Sequence, residues 1–347
     1  MIRSSKLSLK FANKNKRFLL NKFIDEYRRV SQVVIDQFWK KESLPKYANI
    51  KKDFKVDTWL SATSLQALSR QVIGIIKGTK RSGKAFRKTL SKPTTDSINP
   101  QLDSRFVKIS FDKKTKEFDG WIHIKCLGVK IILDIPFKKT KHFNKLFSKV
   151  GSVLRPGLLL SKKGISLAFE ISPEERTQGT TLGIDIGISN IWTDSNGVCS
   201  RLNKHGYDLS KIMSILSRRK KGSKGFKRTQ DHRTNYVNWS VKQIFTKDVS
   251  KIVLEDIKGL RKGKKNNGRF RSHWTYSKIF NRIEQISEEF GVQVLKVNPR
   301  NTSRKCSVCG VIDVKNRKGK VFMCVACCHT LDADHNAAIN IASACTR

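Results

Sequence analysis

Apolar residues recur at helical spacing over residues 14–41, where Phe23, Tyr27, Val30, Val34 and Phe38 share a face, and again at Leu65, Leu68, Val72 and Ile76. Pro93 closes this helical section. The period then drops to two. Val107, Ile109 and Phe111 alternate with polar residues, as do Ile122, Ile124 and Cys126, then Val129, Ile131, Leu133 and Ile135, then Ile165, Leu167, Phe169 and Ile171. Four such segments predict antiparallel strands in a small barrel or sandwich. A strand over 2–11 joins them, with the helices inserted between, and 172–180 forms a linker. From 181 onward strands alternate with helices. Thr181–Ile186, Lys251–Ile257 and Val292–Val297 are apolar strands, and 191–195 with 198–202 form a neighbouring hairpin. Helices are expected over 208–248, broken at Arg218–Gly222, over 275–290 and over 335–345. That alternation predicts a mixed α/β sheet. The fold class is therefore α/β plus α+β in several domains.

Charge changes the picture. Of 347 residues, 71 are Lys or Arg and 28 are Asp or Glu, a net charge of +43. Solubility needs far less, so the excess points to a long polyanion, nucleic acid, held over several domains. No run of 18 apolar residues exists, and the basic first 15 residues lack the apolar core of a signal peptide, so no membrane partner is expected. The eight cysteines belong to a reducing compartment.

Three carboxylates stand where charge is expensive. Asp185 interrupts the apolar strand Gly183-Ile-Asp-Ile-Gly187, and Glu255 ends Ile252-Val-Leu. Asp334 opens the last helix, whose dipole favours an anion. Brought together by one sheet, they offer hard oxygen ligands to Mg²⁺, and two such ions about 3.5–4 Å apart can hydrolyse a phosphodiester. Asp256 rivals Glu255, because neighbours on a strand face opposite ways and only one can reach the site; Asp332 likewise rivals Asp334. Cys306-x-x-Cys309 and Cys324-x-x-Cys327 have the spacing of a structural Cys₄ zinc site, with Cys328 a competing ligand. Arg218, Arg219, Lys220, Lys221 and Arg228 form one candidate phosphate-contacting element. Lys264, Arg269 and Arg271, in a Gly-rich loop, form a second.

In order along the chain, Gly183-Ile-Asp-Ile-Gly, Ile252-Val-Leu-Glu-Asp, Thr302-Ser-Arg-Lys-Cys-Ser-Val-Cys-Gly, Cys324-Val-Ala-Cys and Asp334-His-Asn-Ala-Ala-Ile-Asn-Ile resemble the TnpB family of transposon-encoded nucleases related to type V CRISPR effectors. The likeness is close over 181–345 and only in outline before it. It implies an RNA-guided endonuclease that cuts double-stranded DNA beside a short transposon-adjacent motif, using a guide RNA from the transposon end. It implies a RuvC-type, RNase H-like site of Asp185, Glu255 and Asp334 with Mg²⁺, and zinc on Cys306, Cys309, Cys324 and Cys327. It further implies a wedge β-barrel over 1–12 and 103–178, a helical recognition insert over 13–102, a nuclease domain over 179–299 and 329–347, and a zinc knuckle over 300–328. Gln66 matches a helix position that helps read the adjacent motif. Such a protein would be a monomeric ribonucleoprotein in the prokaryotic cytoplasm, at the nucleoid. Cys328 departs from the family, which often has Gly there. A nuclease-inactive RNA-guided repressor and a compact type V effector are the alternative readings.

Overall fold

The computed structural model describes residues 1–344 other than 47, 87–89, 97, 112–116, 129, 189, 246–247 and 258–274. It divides into two compact units, Met1–Ser172 and Pro173–Arg347.

In the first unit, β1 (Ile2–Leu7) leads through a single 3₁₀ turn (Leu9–Phe11) into α1 (Lys14–Phe38), α2 (Ile50–Phe54) and α3 (Ala62–Phe86). Strands β2 (Gln101–Asp103), β3 (Val107–Phe111), β4 (Gly120–Ile124) and β5 (Leu133–Phe137) follow, then α4 (Lys141–Phe147), β6 (Ser152–Ser161) and β7 (Gly164–Ile171). Two antiparallel sheets result, ordered β1-β7-β6-β2 and β3-β4-β5. Asn13 starts α1 by accepting the Lys16 N–H at 2.8 Å. The apolar stripe of α1 then packs with Leu65, Leu68, Val72 and Ile76 of α3 and with the inner faces of both sheets in one core. Tyr27, fully buried there, donates to Gln71 Oε1 at 2.8 Å.

Two expectations differ here, and one strand was not anticipated. The first strand ends at Leu7, because the Ser8 hydroxyl accepts the Lys10 N–H and turns the chain. Residues 130–132 do not belong to β5; Lys130, like Cys126 before it, has left-handed backbone that no strand accommodates. Strand β6 was hidden, because Arg155-Pro156-Gly157 reads as a turn. The strand passes through it by a register shift between Leu154 and Leu158, with Gly157 at φ +129°.

The second unit contains β8 (Thr180–Asp185), β9 (Thr193–Asp194), α5 (Leu209–Arg218), α6 (Lys224–Val241), β10 (Val249–Glu255), α7 (Tyr276–Phe290) and β11 (Gln293–Val297). A small ribbon of β12 (Arg317–Lys318), β13 (Val321–Met323) and β14 (Thr330–Asp332) leads into α8 (Ala333–Ser343). The main sheet runs β11-β10-β8-β9, with β10 parallel to both β11 and β8 and β9 antiparallel. Ile252, Val253 and Leu254 are buried on both faces of β10, as a central parallel strand requires. The expected hairpin over 191–202 shrinks to β9 and one bridge between Thr193 and Cys199. The last helix begins at Ala333, two residues earlier than expected.

Candidate active site

Parallel pairing fixes where two of the acids meet. Leu254 of β10 lies opposite Ile184 of β8, so Glu255 and Asp185 both sit at the carboxyl ends of neighbouring strands. Ligand and catalytic groups gather at this end of open α/β sheets. Asp334 arrives from α8, which lies against β8. The close approach depends on Gly183, since a Cβ there would stand 2.1 Å from the Ala338 carbonyl oxygen and 2.4 Å from the Ala342 nitrogen. Backbone atoms cannot step aside. Gly183→Ala is therefore expected to destabilise this unit by about 3 kcal/mol, read as a fall in melting temperature.

The rival acids separate by role. Asp332 is the N-cap of α8, its carboxylate accepting the N–H groups of Asp334 at 2.9 Å and His335 at 3.1 Å. Asp334 is buried, its carboxylate paired with Arg317 and Lys320 and close enough to Asp185 to act on it. The fields of Glu255 and Asp334 act on Asp185.

Burial first, then Glu255 and Asp334, push the Asp185 carboxyl up to about 7, against the opposing pull of Arg317 and Lys320. Burial likewise raises Glu255, opposed by the Thr302 hydroxyl, which donates to Glu255 Oε1, and by Arg317. Three carboxylates gathered at one sheet end are a fitting donor set for a hard divalent cation. Asp185 has an ordinary value of 3.8 and a folded value near 7, so the folded chain keeps a proton that the unfolded chain releases. The stability this proton supplies is complete below about pH 4 and is lost as pH rises to 7. In magnesium-free buffer, melting temperature is expected to fall over that window, and Asp185→Asn should flatten the slope. Divalent-ion affinity should rise between pH 6 and 8, as the ion no longer displaces a proton.

The four cysteines Cys306, Cys309, Cys324 and Cys327 converge, their sulfurs all within 4.8 Å of one another. Cys306 Sγ lies 3.7 Å from Cys327 Sγ, and Cys309 Sγ lies 3.5 Å from Cys324 Sγ. A tetrahedron with Zn–S bonds of about 2.3 Å has S···S edges of about 3.8 Å, so the cluster fits zinc. Backbone N–H groups of Cys327 and Ala326 pull Cys324 down to about 6, toward the ligating thiolate. Cys328 is not in the cluster. It repeats the role of Gly310: each residue follows a Cys-x-x-Cys pair in left-handed backbone, and its N–H bonds the first cysteine's carbonyl at 3.1 and 3.0 Å.

Five further residues join this site that sequence reasoning did not assign. Arg317 Nη2 donates to Asp334 Oδ1 at 3.1 Å, and Lys320 Nζ pairs with Asp334 Oδ2. Thr302 holds Glu255. Asn336 donates to the Lys305 carbonyl at 2.9 Å, and Asn340 donates to those of Thr302 and Lys305 at 2.9 and 2.7 Å. The two asparagines lie four apart on one face of α8, so they tie the first cysteine knuckle to the helix that carries Asp334. Their i, i+4 spacing in a helix of small apolar residues was the available signal.

The basic candidates divide. Arg218, Arg219, Lys220, Lys221 and Arg228 are exposed at the junction of α5 and α6. Gln66 is half-buried on α3 and accepts from Arg105 Nη1 at 2.5 Å. Lys264, Arg269 and Arg271 lie outside the described residues. Among the described residues, no helix is long and apolar enough to cross a membrane.

The profile of the Cas12f1-like TNB domain matches residues 276–341, which span α7, the cysteine ribbon and most of α8. The CRISPR-associated endodeoxyribonuclease Cas12f1 of Sulfoacidibacillus thermotolerans is 37% identical over 139 residues, 40% of this chain and 31% of that protein. A TnpB-like protein of Aquifex aeolicus is 35% identical over 96 residues, 26% of this chain and 31% of that one. Over these segments the chain is similar to Cas12f1 and TnpB-like proteins. The matched segments span about a third of these relatives' own lengths. The fold agrees more broadly. Cas12f1, in a structure titled as its complex with sgRNA and target DNA, superposes with a TM-score of 0.53 at 17% identity, covering 94% of this chain and 81% of that one. CasPhi-2 (Cas12j), in a structure titled as bound to crRNA, gives 0.57 at 9% identity, covering 99% and 98%. The mixed α/β architecture is thus that of Cas12 effectors.

Proposed function

We propose that the protein is an RNA-guided DNA endonuclease that hydrolyses phosphodiester bonds of double-stranded DNA next to a short transposon-adjacent motif. The observation that carries this reading is the convergence of Asp185, Glu255 and Asp334, from three separate elements, at the carboxyl end of one sheet. On this reading the centre is of RuvC type on an RNase H-like fold. Divalent Mg²⁺ held by the three acids would supply an activated water and charge stabilisation at the leaving oxygen. The chain's own residues prepare the site. Thr302 fixes the Glu255 carboxylate, the Asp332 cap fixes the start of α8, and Arg317 orients Asp334. Cys306, Cys309, Cys324 and Cys327 hold a structural zinc with no open position.

A guide RNA would deliver sequence recognition by base pairing, and the protein would grip the backbone through Arg218, Arg219, Lys220, Lys221 and Arg228. The net charge of +43 supports this division of labour. Gln66, with Lys264, Arg269 and Arg271, complete the proposed nucleic-acid contacts. The finer division is a wedge barrel over 1–12 and 103–178, a helical insert over 13–102, the nuclease domain over 179–299 and 329–347, and the zinc knuckle between its parts. Work on DNA would place such a ribonucleoprotein at a prokaryotic nucleoid.

The Cas12f1 likeness favours a second reading of the same chemistry, a compact type V effector served by a CRISPR array; a repeat array beside the gene decides between them. The function is tested by co-expressing the chain with its flanking locus and offering the purified ribonucleoprotein Mg²⁺ and a plasmid library with randomised sequence beside a guide match. Motif-dependent cutting is the expected result. Motif-dependent binding without cutting would leave an RNA-guided repressor, and equal binding with and without RNA would overturn the reading.

A further inference from the structure

Both oxygens of the Asp334 carboxylate are already taken, and by cations from one short turn of the cysteine ribbon. Arg317 occupies Oδ1 and Lys320 occupies Oδ2. The turn is fixed at both ends. Arg317 Nε donates to the Gly319 carbonyl at 3.2 Å, and the Lys320 carbonyl accepts the N–H of Ala333, the first residue of α8, at 2.8 Å. The two cations are held unequally. The Arg317 side chain is 29% exposed, the Lys320 side chain 50%, and the Asp334 carboxylate between them only 7%. The planar, more enclosed guanidinium keeps its place, whereas the ammonium sits on a flexible stem with open water beside it.

We propose that Lys320 and the divalent ion compete for Asp334, and that the ion binds only as the Lys320 ammonium withdraws. This inference rests on the metal-site reading given above. An oxygen that accepts an ammonium is closed to a hard cation, and three acids without any counter-charge would be costly to bury. Lys320 resolves both demands. It neutralises the site when no ion is there, and it leaves cheaply because half of it is already hydrated. The ribbon thereby sets how readily the site loads, in addition to carrying its zinc.

The test is binding of Mn²⁺, followed by its electron paramagnetic resonance signal, to the zinc-loaded full chain. Wild type is compared with Lys320→Met, Lys320→Arg and Asp185→Asn. Lys320→Met keeps the stem and removes the charge, so it should bind Mn²⁺ roughly fivefold tighter, the scale of one partly exposed ion pair. Its metal-free form should melt lower and its ion-induced stabilisation should be larger. Lys320→Arg should retain wild-type or weaker binding. Unchanged or weaker binding in Lys320→Met, with Asp185→Asn impaired, would overturn the competition and leave the site reading standing. Equal binding by wild type and Asp185→Asn would instead remove the site reading on which the proposal depends.

Discussion

Asp185→Ala is expected to lower DNA cleavage by about a thousandfold or more, the several kcal/mol that a catalytic metal ligand supplies, and to leave guide-dependent DNA binding intact. Asp185 stands at the end of β8 beside Glu255 and Asp334, whereas the proposed phosphate-contacting residues belong to the α5–α6 junction. Its loss therefore removes an ion ligand without removing a phosphate contact. The same variant should fold at least as well as wild type. Burial and the fields of Glu255 and Asp334 both oppose its charge, so an alanine there relieves a cost that folding otherwise bears. Single-turnover cleavage, filter binding and thermal unfolding of one preparation check all three outcomes together. Cleavage above a few per cent of wild type would remove Asp185 from the centre. Loss of binding in a folded variant would show that the acids shape the nucleic-acid surface.

Much of this was legible in the residues because it rests on local cost. A carboxylate inside Gly183–Gly187 or after Ile252-Val-Leu is expensive wherever the chain goes, so Asp185 and Glu255 announce themselves. Alternation along β4 and β7 records a more and a less buried face in the same way, whereas in β3 it holds at Val107 and Ile109 and ends at the exposed Phe111. What stayed hidden depends on partners brought from a distance. Strand β6 carries Pro156 and Gly157, and only its pairing with β7 and β2 makes it a strand. Arg317, Lys320 and Thr302 look like ordinary surface residues until the cysteine ribbon folds over α8 and presents them to Asp334 and Glu255. The choice between Asp332 and Asp334 needed the helix start. Once α8 begins at Ala333, capping falls to the first acid and the second is carried inward.

Removal of the zinc is expected to act on this same connection. The ribbon's own core is four residues, Cys306, Phe322, Cys324 and Ala333, two of which belong to the cysteine cluster itself. One buried Phe is too small a core to order a ribbon of this length, whereas a structural zinc couples its binding free energy directly to folding. Without the metal the ribbon should unfold by itself. The main sheet should persist, because its core of Ile184, Trp192, Ile252, Leu254, Ile279 and Ile283 contains no ribbon residue. Cys324→Ser is therefore expected to abolish zinc content and to release amide protection over residues 304–331, with strands β8 and β10 still protected. Cleavage should fall about a hundredfold, since Arg317 and Thr302 no longer hold Asp334 and Glu255. The Asn336 and Asn340 bonds to the Lys305 and Thr302 carbonyls would open with it. Hydrogen exchange resolved by segment separates this outcome from general unfolding, in which β8 and β10 would lose protection as well. A ribbon still protected without zinc would mean that α8 and its asparagines, and not the metal, hold the cations over the acids.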